Sequence, residues 1–199
     1  MVKHLLLALL ALLVLSTVTP YAESKSVTGS LWTELDINDP ALSKGAAMRQ
    51  CEKSLKYAVN ELESWCEKAY QLGAWEALLY IGYHTGDGSR YVHEVKQRAA
   101  NDEIKAIRKL AWLYDGGLFI ENNPTEAARL YELFLKKATD ASPRLLRRIH
   151  YDLAKIYTKL EDWPSVINHA EYVLEHSEGN GSEALARELR DYAKTQCSQ

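Results

Sequence analysis

Histidines, cysteines and carboxylates are the side chains through which a sequence can hold a metal or move a proton, and this one has six, three and 27 of them. Their spacing argues against either use. His93-Glu94 opens like the helical zinc-hydrolase pattern, which needs a second histidine where this chain has Gln97. His169 and His176 lie seven apart and read as two surface histidines, because two ligands do not make a site. His150-Tyr151-Asp152 puts a base beside an acid, yet neighbours in sequence point in different directions on a helix. A packed, hydrogen-bonded imidazole is the expectation for His150.

No serine sits in a Gly-x-Ser-x-Gly elbow, and Gly86-Asp87-Gly88 lacks the rest of a phosphate loop. Asp87 and Asp115 precede glycines and read as turn residues. Asp102-Glu103 and Glu161-Asp162 read as acids at helix starts, where the local dipole favours them. The expectation is a protein that is not an enzyme and has no catalytic residue, metal or cofactor.

The elements that carry these residues follow from composition and punctuation. The chain has 199 residues, 47% apolar and 26% charged, the balance of a folded protein. Its net charge of -3 argues against nucleic acid as a partner, since phosphate binding needs a basic face. Lys3 and then eleven apolar residues from Leu5 to Leu15 are too short to cross a bilayer and have the layout of a secretory signal. Residues 1–22 are therefore expected to be a signal peptide cleaved after Ala22, and the mature chain to be periplasmic or secreted. No later stretch is apolar enough to span a membrane. The remaining chain carries 23 basic and 27 acidic side chains. Residues 23–44 read as an extended leader, with Asp39-Pro40 as a possible helix start.

From residue 45 to 199 the punctuation is helical. Apolar residues at 48, 51, 55, 58, 62, 65, 69 and 72 predict one long helix closed by Gly73. On such a helix Cys51 and Cys66 stand roughly 22 Å apart, so they pair only if the helix breaks and folds back. The expectation is two small core cysteines and a free Cys197 on the tail. Asn123-Pro124, Ser142-Pro143 and Asp162-Trp163-Pro164 mark further helix starts, and a last helix runs from Ser182 to about Thr195. The fold class expected is all-α.

Three of these segments superpose: Ala77 to Gly82, Ala106 to Ala111 and Ile149 to Ala154. Each ends in a large apolar residue followed by Gly or Ala, which lets a neighbouring helix approach closely. Trp65-Cys66-Glu67-Lys68-Ala69-Tyr70-Gln71-Leu72-Gly73, running into Ala77 and Ile81-Gly82, resembles a Sel1-like repeat junction. Leu110 to Gly117 with Glu126-Ala127-Ala128 is similar, and Leu153-Ala154 with Tyr157, Asp162-Trp163 and Val166 resembles a tetratricopeptide repeat. The resemblance implies a right-handed α-solenoid of antiparallel helix pairs, ended here by a C-terminal capping helix. It also implies a scaffold or adaptor that binds partners.

In such a stack the first helix of each pair lines the concave side. The stripe left facing it reads Glu76, Leu79, Tyr83; Lys105, Arg108, Trp112; and Arg148, Tyr151, Lys155. Tyr83, Lys105, Arg108, Trp112, Arg148, Tyr151 and Lys155 are the candidate partner-binding residues. Arginine can hold a carboxylate with two parallel hydrogen bonds, and the aromatics offer flat apolar contact. The partner expected is a protein or acidic peptide. A cell-envelope polysaccharide is the alternative, since aromatic stripes also stack on sugars.

Overall fold

The computed structural model describes residues 35–177 and 182–198. The expected signal segment and most of the expected leader lie outside the described residues. Among those described there are nine α-helices and no strand. They are α1 (Lys44–Tyr57), α2 (Leu62–Gln71), α3 (Ala77–Thr85), α4 (Ser89–Ala100), α5 (Ile104–Gly116), α6 (Pro124–Lys137), α7 (Pro143–Lys159), α8 (Trp163–Glu175) and α9 (Ser182–Cys197). Each packs on the next in the chain; α1 also touches α3, and α7 touches α9. No described helix is long and apolar enough to cross a membrane.

Local chemistry sets most of the boundaries. Asn123, Ser142 and Asp162 cap α6, α7 and α8 with side-chain oxygens that accept the backbone N–H of Glu126, Leu145 and Ser165. Proline stands in the first turn of all three, where its missing N–H costs no helical bond. Asp39-Pro40 does not start a helix. Asp39 accepts from Ala41 N and Leu42 N to close a turn, and α1 begins later, capped by Ser43.

The long helix expected over residues 48–72 is two helices joined at a break. Ala58 leaves helical geometry (φ -152°, ψ 61°), a short 3-10 turn covers Val59–Glu61, and α2 returns along α1. Cys51 and Cys66 then face each other with Cα atoms 4.6 Å apart and form a disulfide. The periodicity misled because the buried stripe of α1 is Ala47, Gln50, Cys51 and Ser54, two of them polar. Leu55 and Leu72, which suggested continuity, are exposed. Ser54 satisfies its hydroxyl by donating to the Cys51 carbonyl at 2.8 Å. Cys197 is free and exposed, as expected.

One core cluster runs from Ala47 to Ile156. The equivalent positions Ile81, Leu110 and Leu153 are all buried, as are Gly82, Ala111 and Ala154 behind them. Truncating any one of the large residues to Ala would cost about 2–5 kcal/mol. Gly82 shows why a small residue is needed: a Cβ there would lie 2.9 Å from Gly88 Cα and 3.1 Å from the Phe119 ring. Phe119 belongs to the α5–α6 loop and holds a left-handed backbone (φ 61°) to seat its ring on Gly82 and Gly88.

Candidate functional site

The first two turns of α5 carry Lys105, Arg108 and Lys109, at the i, i+3 and i+4 spacing that brings side chains onto one face. They project into a cleft of about 450 Å³ between α1, α3 and α5. Lys44, Met48 and Glu52 of α1 form one wall; Leu79 and Tyr80 of α3, with Glu76 just before it, form the other. Four cations and two acids line this space in a chain of net negative charge.

The acids are engaged. Glu76 pairs with Lys105, and Glu52 accepts a hydrogen bond from the Tyr80 hydroxyl at 3.3 Å. Burial, and then the Glu52 charge, push the Tyr80 phenol up. Lys105 also lies over the Trp75 ring, and Lys109 lies 5.5 Å from the centre of the Trp112 ring. Arg108 is half-buried and has no hydrogen bond or ion pair among the described residues. Burial and the Arg108 charge push the Lys105 and Lys109 ammoniums down. An anion entering the cleft would relieve that mutual repulsion.

The structure divides the stripe of candidate residues. Lys105 and Arg108 share this cleft with Glu76 and Leu79. Tyr83 is exposed and turns toward Phe119, with ring centres 5.8 Å apart. Trp112 is half-buried under Lys109. Arg148 is committed to Asp152 at 3.0 Å. Tyr151 and Lys155 line a separate cleft of about 440 Å³ against Leu185, Glu188, Leu189 and Tyr192 of α9. The candidate residues therefore fall on two clefts and the surfaces beside them. Lys44 and Lys109 were missed, because Lys44 belongs to a helix outside the three superposed segments and Lys109 sits one residue off the stripe.

Several sequence expectations change around the histidines and acids. His169 is buried, at 4% exposure, and is not a surface residue. Its Nε2 lies 3.0 Å from Glu132 and its Nδ1 lies 2.9 Å from His150 Nδ1. With Nε2–H donating to the carboxylate, His169 Nδ1 accepts and His150 Nδ1–H donates. His150 is accordingly a packed, hydrogen-bonded imidazole, stacked on Tyr172 at 3.6 Å, which in turn stacks on the exposed His176. Asp87 is a turn residue, accepting from Ser89 N, but Asp115 instead pairs with Lys159 at 2.6 Å. No group of three His, Cys, Asp or Glu among the described residues is placed to hold a metal.

Compared with protein-family models, with curated proteins and with solved structures, the chain finds no match.

Proposed function

We propose that this chain is an export-compartment adaptor, an α-solenoid of helix pairs that binds an acidic segment of a protein or peptide in the cleft between α1, α3 and α5. The observation that carries the reading is Arg108, a half-buried guanidinium without an anionic partner, beside Lys44 and Lys109, which are equally unpaired among the described residues. Burying a cation with no counter-charge is unfavourable, so this arrangement suits a ligand that brings the carboxylate. Leu79 and Met48 supply apolar contact at the same place. The Cys51–Cys66 disulfide supports the placement outside the reducing cytoplasm. The Sel1-like and tetratricopeptide resemblance supports a binding role for stacked helices.

A polysaccharide fits less well, because the Trp112 and Tyr151 rings already carry lysine ammoniums near their centres. The test is titration of a Glu- and Leu-containing peptide and its Gln-substituted twin, followed by calorimetry. The acidic peptide should bind more tightly, and Arg108→Gln should weaken it by about tenfold or more, the loss of a charge-assisted contact. Arg148→Gln, whose side chain is held by Asp152, should change it little. Equal binding of the two peptides, or indifference to Arg108→Gln, would overturn the proposal.

A further inference from the structure

Helix α9 has two apolar sides, and only one of them is fully buried. Ala186 and Ala193 are fully buried where α9 lies on α7 and α8. Leu185 and Tyr192, seven apart with the half-buried Leu189 between them, lie on the adjoining side and are each 50% exposed. Together with Tyr151 of α7 they wall the second cleft. The Tyr192 ring is already held by an edge contact with Trp163, so this surface is formed before anything docks.

The charges at this cleft name its occupant. Lys155 and Glu188 both line it, opposite in sign, and neither has an ion-pair partner among the described residues. Elsewhere on α9, Lys194 pairs with Glu171 of α8 and Arg190 with Asp191. An occupant must therefore bring an apolar side chain, an acid to face Lys155 and a base to face Glu188. A second copy related by a twofold axis brings all three, because in such an interface residue i meets j and j meets i. We propose that the chain forms a symmetric dimer through this cleft, with Leu185 and Tyr192 packed across the axis. Lys155 of each copy then faces Glu188 of the other.

Sedimentation velocity on the full-length chain tests this, with Cys197→Ser present throughout so that no intermolecular disulfide contributes. The expected result is a monomer–dimer equilibrium that Lys155→Glu and Glu188→Lys each weaken by at least about tenfold, since each reversal sets like charges together at two places. The double variant restores the charge pairing and should dimerise again. The two single variants, monomeric alone, should pair when mixed, because each then offers the other its complement. Both positions are on the surface, and unchanged helical circular dichroism will show that the fold is kept. A monomer at every concentration overturns the proposal. So does a dimer that the single reversals leave intact, or one that the double variant and the mixture fail to restore.

Discussion

His150 is half-buried, its ring stacked on Tyr172 and turned toward His169. Burial first, and then the charge that His169 would carry, push its imidazole down to about 4 from an ordinary 6.5. Glu132 opposes this from α6, while Tyr157 of α7, Tyr172 of α8 and His176 just after α8 surround the pair. One proton fits between the two Nδ1 atoms and two do not. The unfolded chain takes up its proton near pH 6.5 and the folded chain only near pH 4, so stability from this site is complete above pH 6.5. It is lost as pH falls through that window, by about 2 kcal/mol after allowing for solvent that reaches the ring. Urea unfolding at steps between pH 4 and 7.5 should show that fall. His150→Phe keeps the stacking, leaves His169 Nδ1 without its donor at a cost of about 1–2 kcal/mol, and should flatten the slope. A packing position for His150 was legible from the superposed segments, but its partner was not, since His169 lies 19 residues away on another helix.

At the scale of elements, the helix starts marked by Asn, Ser or Asp before proline were legible because capping is a local interaction. The α1–α2 break was not, because no glycine or proline stands at Tyr57-Ala58-Val59. The turn there is imposed by what the two helices bury against each other, with the cysteines at the centre. Replacing both cysteines by serine should lower stability by about 3 kcal/mol, the closure entropy of a loop this long, read from urea midpoints of the two proteins. The α5–α6 loop offers a second contrast. Gly88→Ala places a Cβ 2.0 Å from Phe119, forcing the ring off its seat, and should lower the melting temperature. Gly116→Ala meets nothing within 4 Å at the end of α5 and should raise stability by about 0.4–1 kcal/mol.

For the molecule as a whole, the all-α class was legible from periodicity, and so was the existence of a separate terminal helix. The candidate stripe was legible only as a set of residue types. Which cations stay unpaired depends on acids such as Glu76 and Asp152, whose rotamers and neighbours no spacing rule supplies. Removing residues 182–199 should uncover the surface of α7 and α8 against which Ala186 and Ala193 pack, lowering the melting temperature and raising binding of a hydrophobic dye. Stretching the chain by its two ends would meet a different kind of order. The Cys51–Cys66 link carries tension directly between α1 and α2, so the chain between them cannot lengthen while it is intact. With 15 residues of separation, the oxidised protein should pull out to a contour about 50 Å shorter than the reduced one, and the bypassed residues would unravel under no load at all.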